Sequence, residues 1–129
     1  MMVDGGVRHV VDPKNAIERC LELVDDDETR VVLDVILLDD QGIDALQCHD
    51  KPEQHGMVEV ERAMKKYPHV RYRHLMAPKQ EDLEDYDFLN FNRENTEKLL
   101  EAGKFDARKS MNLGAGYRFK QLRDLCEDK

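Results

Sequence analysis

The stretch that most constrains this chain is residues 30–38, Arg-Val-Val-Leu-Asp-Val-Ile-Leu-Leu, where only Asp34 breaks a run of aliphatic side chains. Its length and β-branched content predict a strand. A strand wetted on one face alternates apolar with polar residues. A near-continuous apolar run suits a strand covered on both faces, as in a parallel sheet with helices on each side. That reading requires helices around the strand, and the flanking sequence offers them. Asp12-Pro13 is a helix start, with a capping carboxylate and a proline suited to the first helical position. Ala16, Ile17, Cys20, Leu21 and Val24 then recur at helical spacing. The acids Asp25-Asp26-Asp27-Glu28 belong to a solvated loop, because four carboxylates oppose the negative end of the helix dipole.

Residues 43–55 show no period and read as a loop, with at most one short helical turn. Residues 57–67 predict a helix with Val60, Met64 and Tyr67 on one side and Pro68 as its stop. Residues 70–76 predict a second strand, Val70, Tyr72 and His74 alternating with Arg71, Arg73 and Leu75. Residues 80–91 form an acidic loop whose aromatics, Tyr86, Phe88 and Phe91, are expected to tuck onto the body. Asn92 or Asn95 caps a long helix reaching about Met111, with Leu99, Leu100, Ala107 and Met111 as its apolar positions and Glu94 and Lys98 as a supporting pair. Gly103 within it costs about 1 kcal/mol against Ala and is read as a point of close packing. Leu113-Gly114-Ala115-Gly116 ends that helix, and a last short helix carries Phe119, Leu122 and Leu125. The chain, residues 1–129, is one α/β domain. Two strands are too few for a self-sufficient sheet, so part of the fold is expected to be absent.

Composition narrows the function. With 28 acids against 20 bases, a net charge of −8 and no Trp, the chain has neither the clustered cations nor the stacking platform of a nucleic-acid binder. Cys20, Cys48 and Cys126 are odd in number and far apart, with no Cys-x-x-Cys spacing, which points to reduced thiols and a cytoplasmic protein. Residues 35–38, the longest apolar run, are far too few to span a bilayer, and no signal peptide is visible. The expectation is a soluble protein, at most peripheral to a membrane.

The motif with chemical content is Asp4-Gly5-Gly6, followed by Val7-Arg8. An acid before two glycines makes a tight turn, able to present a carboxylate to a nucleophile held elsewhere. Together with Pro13, Ala16-Ile17-Glu18 and the strand at 31–36, this segment resembles the second half of patatin-like phospholipases. Asp87-Phe88-Leu89-Asn90-Phe91, Leu99-Leu100-Glu101-Ala102-Gly103 and Asp106-Ala107 look like the closing helix of the bacterial-type members. The resemblance covers roughly residues 3–111 and leaves 112–129 as a tail helix.

The resemblance implies a three-layer α/β/α patatin-like fold, present here without its N-terminal half. It also implies hydrolysis of lipid acyl esters (phospholipids or acylglycerols) by a Ser-Asp dyad. Asp4 would be the dyad's acid and base, Gly5 and Gly6 would let the backbone turn closely beside it, and no histidine, metal or organic cofactor is implied. The implied partner is a lipid acyl ester in the complete protein, with peripheral membrane contact. The chain departs from the family pattern in its serine. Its single serine, Ser110, lies in Lys109-Ser110-Met111 on the long helix, and there is neither a Gly-x-Ser-x-Gly elbow nor a glycine-rich loop to bind an oxyanion. The expectation is a C-terminal fragment that is inactive alone. The alternatives are a non-enzymatic α/β binding or interaction module, and a fragment that pairs with another chain carrying the serine elbow.

The remaining clusters have plainer readings. Cys48, His49, Asp50 and His55 match no standard zinc spacing and read as a polar surface loop. His9, His69 and His74 are scattered and read as structural or surface residues. Lys65-Lys66 with Arg71 and Arg73 form a small basic patch that could meet anionic lipid head groups, with a solvated face the plainer reading. The acids at 25–28 lack the EF-hand pattern.

Overall fold

Asp12 does cap the first helix: its carboxylate accepts the Asn15 backbone N–H at 3.3 Å, and Pro13 takes the first position. The computed structural model describes residues 11–37, 55–77 and 91–127. Helix α1 spans Pro13–Leu23, strand β1 Val32–Ile36, helix α2 His55–Lys66, strand β2 Arg71–Met76, helix α3 Arg93–Asn112 and helix α4 Tyr117–Glu127. Asp25 and Asp26 end the first helical unit with φ of 53° and 61°, left-handed backbone that a short polar side chain tolerates. Asp27 then caps a single 3-10 turn, Glu28–Arg30, accepting from the Thr29 N–H and hydroxyl.

Strands β1 and β2 pair in parallel, with α2 on the connection between them. The chain is therefore mixed, mostly helical, with a small parallel sheet, in keeping with the α/β class. Ile17 and Leu21 of α1, Met57, Val60, Ala63 and Met64 of α2, and Phe119 and Leu122 of α4 bury against Val31, Val35, Leu37, Val70, Tyr72 and Leu75. Only the odd-numbered face of β1 enters this core. Val32, Asp34 and Ile36 face outward, and Ile36 is 75 % exposed. The expectation of a strand covered on both faces is corrected for the described residues: helices cover one.

The alternation expected along the second strand breaks at its middle. Leu33 pairs with Tyr72, but Val35 pairs with Leu75, so β2 carries one extra residue opposite Asp34. This bulge turns Leu75 into the core in place of His74, because the apolar side chain gains more from burial.

Helix α3 is capped by Asn92, whose side chain accepts the Asn95 N–H at 2.7 Å. Its apolar residues were expected to pack inward, yet Leu100 and Met111 are exposed, while Asp106 and Ser110 are the buried positions. Gly103 is likewise no point of close packing, since a Cβ built there meets nothing within 4 Å. Phe91 is 87 % exposed and does not tuck onto the body. Tyr86 and Phe88 lie outside the described residues. Among those described, no helix is long and apolar enough to cross a membrane.

Candidate functional site

In parallel sheets the carboxyl ends of the strands are the usual place for a ligand, because loops and helix ends converge there. At this end of β1 and β2 the Leu37 N–H donates to the Met76 carbonyl at 2.8 Å, which holds the two strand ends level. Beyond them lies an open groove of about 370 Å³, lined by Ile36, Leu37, Met76, Ala77, Gly103 and Asp106. Its walls are apolar on the strand side. Gly103, with no side chain, keeps α3 from filling it.

Asp106 is 7 % exposed and Ser110, one helical turn further on, is 6 % exposed. The spacing i, i+4 puts the chain's single serine and a carboxylate on one face of α3. These are the residue types of a Ser-Asp dyad, but their setting is wrong for acyl transfer. Backbone N–H groups in the interior of a 20-residue helix are already committed to the helix and cannot receive an oxyanion. Ser110 is therefore a buried helix residue and not a nucleophile. Asp106 was not anticipated as a site residue, although its position one turn before the only serine was visible in the sequence.

The residues expected to carry function are otherwise distributed as follows. Asp4, Gly5 and Gly6 lie outside the described residues, as do His9, Cys48, His49 and Asp50. His55 opens α2, and its side chain is outside the described set. Among the described residues no three His, Cys, Asp or Glu side chains are placed to hold a metal ion. Cys20 is a free, exposed thiol. Cys126 is disulfide-bonded, its partner lying outside the described residues. This corrects the expectation of three reduced thiols, so the cysteines no longer argue for a reducing compartment.

The expected basic patch dissolves into ion pairs. Lys65 sits on Glu61, Lys66 on Glu18 at 3.4 Å, and Arg73 on Asp34, so only Arg71 of the four has no such partner among the described residues. Glu18 also accepts the Tyr67 hydroxyl at 2.8 Å, which ties α1 to the end of α2. That hydrogen bond is the main reason the Glu18 carboxyl is held below its ordinary value, with Lys66 and Lys14 adding to it. His69 donates its backbone N–H to Glu28, and His74 donates its own to Asp34.

Set against known protein families, curated proteins and solved structures, the chain matches none of them.

Proposed function

We propose that this chain is the C-terminal part of a patatin-like lipid acyl hydrolase domain, in which Asp4 serves a serine carried outside these residues. The observation that carries the reading is the open outer face of β1, which no helix covers among the described residues. Helices bury one face of β1, while Val32 and Ile36 stand exposed on the other. A three-layer α/β/α domain would cover that second face. The course of α1 supports the same reading. Its carboxyl end is held at the amino end of the sheet, where the Asp26 N–H bonds to Leu21 and Glu28 accepts from His69. The amino end of α1, at Pro13, therefore lies toward the carboxyl ends of the strands, the side where parallel sheets hold their ligands.

In this reading the serine attacks the acyl carbonyl as Asp4 takes the hydroxyl proton. Asp4 then returns that proton to the departing alcohol, leaving an acyl-serine. Water attacks the acyl-serine next, again giving its proton to Asp4, and the serine recovers it as the fatty acid leaves. No metal or organic cofactor enters.

The test is to read the transcript upstream of the Met1 codon and assay the encoded protein on a phospholipid. An in-frame Gly-x-Ser-x-Gly, with hydrolysis lost in Asp4→Asn, supports the proposal. Serine-dependent esterase activity in the 129-residue chain itself would overturn it, as would hydrolysis that survives Asp4→Asn. The second reading, a binding module without catalysis, is favoured by the burial of Ser110 in α3 and predicts a chain that folds alone and binds without turnover.

A further inference from the structure

A second cleft, of about 370 Å³, opens between the start of β2 and the amino end of α4. It is lined by Arg71, Tyr72, Gly116, Phe119, Lys120 and Arg123. The Tyr72 and Phe119 rings stand side by side there, centroids 5.4 Å apart, and fasten α4 to the strand. All three charged side chains on the cleft are cations, and no carboxylate lines it among the described residues. In a chain with 28 acids and 20 bases this local balance runs against the whole.

The pairing of the bases sharpens the contrast. Many of the others sit on carboxylates, as Arg62 does on Glu59 and Arg93 on Glu97, although Arg30, Arg108 and Lys109 do not among the described residues. Arg71 and Arg123 have no ion-pair partner among the described residues, and both are exposed. Lys120 shares its charge with Asp124 at 2.6 Å. Lys120 and Arg123, three residues apart, lie on one face of α4, while Arg71 reaches the cleft from the strand. Ala115 and Gly116 also line it, so the positive end of the α4 dipole lies at its edge. Gly116, with φ of 81°, lets the chain turn there and donates its N–H to the Arg73 carbonyl at 2.6 Å.

We propose that this cleft binds a phosphate group, gripped by the Arg71 and Arg123 guanidinium groups with Lys120 as a third cation. Two guanidinium arms from different elements can each give paired N–H bonds to phosphate oxygens, which point charges alone cannot. A lipid head group and a small soluble phosphate compound present the same oxygens, so the cleft takes the phosphate of either. The site stands whether or not the chain belongs to a hydrolase.

The experiment titrates the 129-residue chain with inorganic phosphate, following the backbone amide resonances of Ala115, Gly116 and Phe119. Saturable shifts are expected, with affinity falling roughly tenfold for each of Arg71→Gln and Arg123→Gln. Both side chains are exposed, so the thermal midpoint should hold and report that the variants fold. Sedimentation with vesicles of phosphatidylcholine, with and without phosphatidic acid, separates the sources. Capture by the phosphatidic acid vesicles alone supports a lipid head group, and phosphate binding without vesicle capture supports a soluble ligand. No saturable binding in either arm, or binding unchanged in the double variant, overturns the proposal.

Discussion

Asp34 and Arg73 face each other across the two strands, and the pair holds the bulge in β2 in place. Arg73 donates from Nε to Asp34 Oδ1 at 2.9 Å and from Nη2 to Oδ2, while the same Oδ1 takes the His74 N–H at 3.1 Å. The extra residue in β2 would otherwise leave that N–H without a ladder partner. The one acid in an apolar strand is therefore the residue the irregularity needs.

Asp34→Ala should destabilise the chain by about 1–2 kcal/mol, because the His74 N–H and the guanidinium lose their acceptor together. Asp34→Asn should cost less, since its side-chain oxygen can still accept from His74. The pair is part-exposed, so the charge itself contributes little. Urea unfolding of the two variants checks this, and equal losses would show that the backbone contact is unimportant.

Acid should weaken the fold through named groups. Arg73 holds Asp34 below its ordinary value of 3.8, and Tyr67 holds Glu18 below 4.5. Each binds fewer protons when folded, so its contribution is complete above the ordinary value and drains as pH falls toward the lower folded one. The urea midpoint should stay level from neutrality and then decline below these values. In Asp34→Asn the decline should be shallower; an equally steep profile would assign the acid sensitivity to other carboxylates.

Among the described tyrosines, Tyr72 should be the last to ionise. Its hydroxyl is placed to donate to the Ala63 and Tyr67 carbonyls, each at 2.9 Å, and burial pushes its pKa up to about 12. The folded protein thus keeps a proton that the unfolded chain releases near 10.0, and stability should fall as pH rises between those values. Phenolate absorbance during an alkaline titration follows this directly. Tyr72→Phe should remove the late phase and destabilise by about 1 kcal/mol.

Two glycines should respond to alanine in opposite ways. Gly103 has open space around its missing Cβ and helical backbone, so Gly103→Ala should stabilise by about 1 kcal/mol. Gly116 has φ of 81° and a prospective Cβ 3.5 Å from the Tyr72 carbonyl, so Gly116→Ala should destabilise by about 1–2 kcal/mol. Thermal unfolding of both single variants settles the signs.

Much of this architecture was legible in the residues. Asp12-Pro13, the Asn92 cap and the apolar spacing at Ile17, Leu21, Val60 and Met64 led to the right helices, and the aliphatic runs led to the right strands. The bulge was not legible, because alternation through Val70 and Tyr72 says nothing about an added residue. Only the partner strand, through Asp34, reveals it. The ion pairs of the basic residues were illegible for a related reason: Lys66 and Arg73 found acids 48 and 39 residues away. The phosphate cleft was invisible because Arg71 and Arg123 come together only once the Tyr72 and Phe119 rings have met. Of the dyad, the motif Asp4-Gly5-Gly6 could be read, but its geometry lies outside the described residues.

In the described residues the sheet is only two strands wide, and that has a thermodynamic consequence. Each strand is a border, with one row of backbone groups turned away from its neighbour, and β1 adds the exposed Ile36. A separate molecule that occupies that border binds the folded chain and not the unfolded one, so it raises the melting temperature by mass action. A melting temperature measured on this polypeptide is then a property of the solution as much as of the molecule, and should be quoted with the concentration of every species able to complete the sheet.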